Sequence, residues 1–177
     1  FHPMDMIVSL NIGHRITPDH YAGINVNALY EKIDTASSFG YTFDLGYTYI
    51  TPIKNLKFSA ALKHLGKTSE MEDEAIDLPL TGELSIIDKF EFAAINLFTE
   101  LKAIKNIDDD EMKAACGIKT ELNNKFNLKL GYKFNYDTEN ISAGFGINIK
   151  KITVDYAYVP FKYEIDDVHM IEISYKF

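Results

Sequence analysis

Along much of this chain every second residue is apolar, and the residues between are small, polar or charged. In 126–136, Phe126, Leu128, Leu130, Tyr132, Phe134 and Tyr136 alternate with Asn127, Lys129, Gly131, Lys133 and Asn135. Residues 39–49 repeat the pattern, with Phe39, Tyr41, Phe43, Leu45, Tyr47 and Tyr49 against Gly40, Thr42, Asp44, Gly46 and Thr48. A period of two belongs to a half-buried strand, because successive side chains point to opposite faces of a sheet. The same reading predicts strands at 142–149, 152–158 and 170–177, and weaker ones at 5–13, 21–30, 55–65, 79–86 and 112–122. In 89–103 the phase slips after Phe92, and a bulge near Ala93-Ala94 is expected. No segment shows a helical period, so the chain reads as about eleven strands in a meander.

Either a protein core or lipid can take the apolar face of such strands. The connections decide between them. One set reads as short: 17–20, 52–55, 87–89, 123–125 and the turn at Lys150-Lys151. The alternating set reads as longer or acidic: 31–38, 66–77, 105–111, 136–140 and 161–167. In a meander, alternate connections lie at opposite ends of the sheet, so one end carries tight turns and the other an acidic crown, as in outer-membrane barrels. The apolar stripe is also too long and too aromatic for a small barrel interior, and the opposite stripe is too charged for a dry core. The predicted fold is therefore all-β, an antiparallel up-and-down transmembrane β-barrel with its apolar stripe in lipid and its polar stripe inside.

That phase turns Lys113, Lys119, Glu121, Lys129, Lys133, Asp155 and Glu172 inward, with Asp44 further round. These are the lumen-lining candidates, set either to steer a ligand or to pair and brace the wall. Glu70 to Glu74 and Asp108 to Glu111 lack the spaced ligands and turn glycine of a calcium loop and read as solvated outer loops. Catalysis is not expected. His169 and Ser174 are five apart, on opposite faces of one strand, as are Ser59 and His64, while His14 and His20 sit near a turn and His2 near the chain start. No metal or other cofactor is implied.

Composition narrows the partners. The net charge of −8 over 177 residues offers no basic stripe for nucleic acid. The single cysteine, Cys116, excludes an intrachain disulfide. No apolar run reaches the length of a membrane-spanning helix, which leaves a barrel untouched.

The stretch GYTFDLGYTYITPIKNLKFSAALKHLG (40–66), the re-entry LPLTGELSI (78–86), KLGYKF (129–134) and ISAGFGINIKKITVDYAYVPF (141–161) resemble, in order and spacing, the PorV-like branch of the FadL-type outer-membrane barrels. The resemblance implies a bacterial outer-membrane location and a fourteen-stranded barrel with an N-terminal hatch. On that pattern residues 1–177 are expected to be the C-terminal portion of one barrel domain. It also implies uptake or passage of a hydrophobic small molecule without chemistry, or alternatively a secretion-associated role in which the outer loops bind exported proteins. The ending, with Ile171, Ile173, Tyr175 and Phe177 on one face, resembles the signal by which barrel-assembly machinery recognises its clients. Expected partners are thus outer-membrane lipid, that machinery, and a hydrophobic ligand or secretion-system proteins.

Overall fold

The computed structural model describes all residues except 1–3, 35, 69, 72–73, 76–77, 109–110, 164–165 and 177. The described strands are β1 (Met4–Thr17), β2 (His20–Ile33), β3 (Ala36–Ile50), β4 (Lys57–Thr68), β5 (Glu70–Met71), β6 (Glu74–Ala75), β7 (Thr81–Phe92), β8 (Ile95–Asn106), β9 (Met112–Leu122), β10 (Phe126–Phe134), β11 (Ile141–Ile149), β12 (Ile152–Val159) and β13 (Val168–Tyr175). Eleven of them form one sheet in chain order, an antiparallel up-and-down meander, while β5 and β6 make a separate two-stranded hairpin. Among the described residues there is no helix.

Two compact units divide the chain. The first comprises residues 1–51, 58–84 and 104–111, and its frame is the β1–β2–β3 ladder. Here Asn11, Asn25 and Asp44 stand in one row, Ser9, Asn27 and Thr42 in the next. The second comprises 52–57, 85–103 and 112–177, framed by β9 to β13. One of its rows runs Glu121, Asn127, Gly146, Asp155, Glu172.

The faces are sorted opposite to those of a water-soluble domain. Among the described residues no apolar side chain is buried, whereas Asn27, Ser38, Thr42, Ser85 and Asn127 are. Tyr132, Phe134 and Phe145 stand 40%, 47% and 51% exposed on the apolar face. Each such side chain left in water would forgo roughly 1.5–3 kcal/mol of burial. A continuous stripe of them is matched by hydrocarbon. The apolar face ends in Tyr–His groups. The His20 ring stacks on Tyr49 at 4.9 Å and its Nδ1 meets the Tyr47 hydroxyl at 2.5 Å. Near the β12–β13 connection, His169 Nδ1 meets the Tyr156 hydroxyl at 2.6 Å. Rings with a polar handle suit the level where hydrocarbon gives way to headgroups, and these serve in a chain without tryptophan.

The connections correct the sequence reading in three places. Residues 87–89, expected as a turn, lie inside β7, and the hairpin turns at Ala93-Ala94, where a bulge was expected. Residues 31–38, expected as a loop, are mostly strand, since β2 and β3 stay paired out to Ile33 and Ala36. Within 66–77, β4 runs to Thr68 and the β5–β6 hairpin follows. The turns at 123–125 and 150–151 follow from backbone chemistry. Asn123 (φ 50°), Asn124 (φ 55°) and Lys150 (φ 56°) take the left-handed conformation that tight hairpins between right-twisted strands require.

Candidate functional site

The polar face of the first unit is held mainly by uncharged groups around the Asp44 carboxylate, with one ion pair, Lys63 to Glu83 at 2.9 Å, beside them. Asn27 is at the centre. Its Oδ1 accepts from Ser9 Oγ at 2.6 Å and from Asn25 Nδ2 at 2.9 Å, and its Nδ2 donates to Thr42 Oγ1 at 3.0 Å. Asp44 Oδ2 accepts from Asn25 Nδ2 at 2.8 Å and from Asn27 Nδ2 at 3.1 Å, while its Oδ1 accepts the backbone N–H of His64 at 2.9 Å. His64 sits at φ 64°, a left-handed residue inside β4, and its ring Nδ1 lies 3.1 Å from the Pro79 carbonyl. The local reversal aims its N–H sideways at Asp44. Two residues on, a Cβ at Gly66 would lie 2.0 Å from the Tyr41 carbonyl oxygen and 2.8 Å from Thr42 Cα. Only glycine permits that backbone approach.

In the second unit the polar face is held by ion pairs. Lys119 meets Glu121 at 2.7 Å, Lys129 meets Asp155 at 2.8 Å and Lys133 meets Glu139 at 2.5 Å. Lys129 is on β10 and Asp155 on β12, so their contact passes over β11. Gly146 makes this possible, because a Cβ there would lie 2.0 Å from Asp155 Oδ1 and 2.4 Å from Asn127 Nδ2. Lys113 and Lys133 flank the Tyr136 ring at 5.0 and 4.9 Å. Outside the strands, the Lys133 ammonium holds the Glu139 carboxyl below the ordinary glutamate range, against a smaller opposing effect of burial. In the β12–β13 connection the Tyr158 hydroxyl, followed by the Phe161 N–H, holds Asp167 low in the same way.

Of the lumen-lining candidates, Lys119, Glu121, Lys129, Asp155 and Glu172 lie on adjoining rows of one face. Glu172 stands across from Asp155 and accepts Ser174 Oγ at 2.8 Å. Lys113 and Lys133 lie on the same unit around Tyr136, and Asp44 belongs to the first unit, within the amide network. Ile171, Ile173 and Tyr175 form one exposed apolar row of β13, and Phe177 is outside the described residues. Most of the acidic segments 69–77 and 108–111 is outside them too. Sequence reasoning missed Asn25, Asn27 and Thr42. The signal was the Asn-Val-Asn triplet at 25–27, two amides on one face of a strand.

Among the described residues, hollows open beside these networks, one of about 380 Å³ against Asn25, Asp44 and Lys63 themselves. A cleft of about 240 Å³ in the first unit is lined by Ile7, Leu29 and Leu78 with Asp5, Glu31 and Ser38. Another, of about 310 Å³, is lined in the second unit by Ile87, Phe98, Gly117, Lys119 and Lys129.

The comparisons with known proteins agree with this architecture. The toluene transporter TbuX of Ralstonia pickettii superposes with a TM-score of 0.61 at 12% identity, over 98% of this chain and 68% of its own. That likeness is one of fold. No match was found among curated protein sequences. The family model for the type IX secretion system membrane protein PorP/SprF matches residues 7–167. The family model names PorP/SprF rather than the PorV-like branch suggested by the strand motifs, while the outer-membrane barrel fold and location stand. The chain belongs to the PorP/SprF family of type IX secretion system membrane proteins.

Proposed function

We propose that this chain forms part of an outer-membrane barrel of the type IX route that receives exported proteins at its long-loop end. The observation that carries the reading is the family match across 7–167. The sorting of connections adds to it. The end bearing the turns at Asn123-Asn124 and Lys150 is tight, while 135–140 and 160–163 lie at the other and present Tyr163 at 76% exposure. On this reading the polar face lines the interior, its ion pairs brace the wall, and no chemistry is required. The row of Ile171, Ile173 and Tyr175 is then what the assembly machinery reads. The test is a photo-crosslinking phenylalanine analogue at Tyr163 in the native host. It should capture a type IX cargo protein, while the same analogue at Ile53, 65% exposed in a short connection, should not. Equal capture at both ends, or cargo still reaching the surface when the protein is absent, would overturn the reading.

A second reading, passage of a hydrophobic small molecule, is favoured by the apolar cleft of Ile7, Leu29 and Leu78 on a face otherwise polar. Proteoliposomes holding the full-length protein should admit radiolabelled toluene faster than empty ones, and Leu29→Asp should abolish the difference.

A further inference from the structure

Phe98 and Ile87 are out of place on the polar face of the second unit. The Phe98 ring lies between two ammonium groups, Lys89 at 5.5 Å and Lys119 at 5.4 Å from its centroid. Beside it the wall is dented, because Gly117 and Gly131 face each other across β9 and β10 and neither contributes a side chain. The result is the hollow of about 310 Å³, apolar along Ile87 and Phe98, with Lys119 and Lys129 on its wall and one carboxylate, Glu100, which pairs with Lys102 at 3.5 Å. Lys119 and Lys129 stand directly opposite each other in the β9–β10 register. Glu121 at 2.7 Å and Asp155 at 2.8 Å offset their mutual repulsion. Each side chain is 40% exposed, and each ammonium offers three donors, of which the carboxylate partner takes one.

We propose that this hollow binds a small amphipathic anion, its apolar body against Phe98 and Ile87 over Gly117 and its acidic group between Lys119 and Lys129. The site deepens the small-molecule reading above and rests on it. Specificity comes from the pairing of features. The apolar wall selects a compact hydrophobic body, and the ammonium pair selects an anion over an alcohol of the same shape, since charge-assisted hydrogen bonds are about twice as strong as neutral ones.

Naphthoate and the neutral naphthylmethanol, titrated into the full-length protein in an uncharged detergent, test it. Naphthoate should bind more tightly than the alcohol, and the double variant Lys119→Gln/Lys129→Gln should weaken naphthoate about tenfold, leaving the alcohol unchanged. Gly117→Leu should abolish binding of both. A Cβ there meets nothing closer than the Leu130 carbonyl oxygen at 3.7 Å, so the variant fills the hollow without displacing the backbone. Heat-shifted gel mobility identifies folded protein, and if the lysine variant does not fold, Gly117→Leu and Phe98→Ala carry the test. Unchanged naphthoate affinity in whichever of these variants fold overturns the site. Naphthylmethanol entry into proteoliposomes separates the two claims. Entry with naphthoate affinity insensitive to the variants sinks the anion site alone, whereas loss of entry with the binding pattern intact sinks passage alone.

Discussion

The two units meet the same demand with different chemistry. Each must satisfy a polar face in a sheet whose other face is apolar. In the first unit amides and hydroxyls interlock, with Asn27 joined to four neighbours and Thr42 almost wholly buried at 1% exposure. In the second unit lysines about 40% exposed pair with carboxylates only 16–21% exposed. A buried uncharged network is rigid but fails badly, since removing one member strands the others without partners. Partly exposed ion pairs contribute less and tolerate loss, because solvent and salt replace the missing partner. The first unit thus leans on its amide network and the second on its ion pairs, although the first also holds the Lys63–Glu83 pair and the second buries Asn127.

Four experiments sharpen or break that contrast, the largest effect first. Gly66→Val should prevent folding into detergent, lowering stability by about 3 kcal/mol or more, because the new side chain meets β3 backbone with nowhere to yield. Urea titration followed by gel mobility reads this, and native-like mobility would break the account of the close approach. Asn27→Leu should cost about 2–3 kcal/mol on the same assay, by orphaning Ser9, Thr42 and Asp44. Lys129→Met should cost about 1 kcal/mol or less, and the loss should shrink in high salt. An equal cost for Asn27→Leu and Lys129→Met would erase the distinction between the units.

The smallest effect is one of pH. The Glu139 carboxyl is depressed in the folded state, so its contribution is present above the unfolded glutamate value and is lost as pH falls through the lower folded value. Unfolding midpoints should therefore decline below about pH 4, and Glu139→Gln should flatten part of that decline. An unchanged slope would show that Lys133 does no stabilising work there.

The strands were legible because lipid and lumen impose a period of two, as in 39–49 and 126–134. Where the period was disturbed the reading slipped. Ile86-Ile87 put two apolar residues side by side, and the turn at Ala93-Ala94 carries none of the Gly, Asn or Pro that usually marks a hairpin. At 31–38 charged and hydroxyl residues looked like a loop, yet strands can extend beyond the apolar band into the polar zone. The lysines and carboxylates of the second unit could be placed on one face from sequence, but not paired, since Glu139 comes from a loop and Asp155 from two strands away. The left-handed turn at His64 left no readable trace, because positive φ is uncommon even for histidine, which is enriched there, and His64 sits inside a strand pattern.

Gly146 has a consequence for how this sheet transmits perturbation. By having no side chain, it lets β10 and β12 touch directly over the strand between them. Neighbour-by-neighbour bookkeeping of the ladder would therefore place the energetic linkage of positions 129 and 155 wrongly. A single methyl group at 146 would cut the two strands' electrical conversation while every backbone hydrogen bond of β11 stayed where it was.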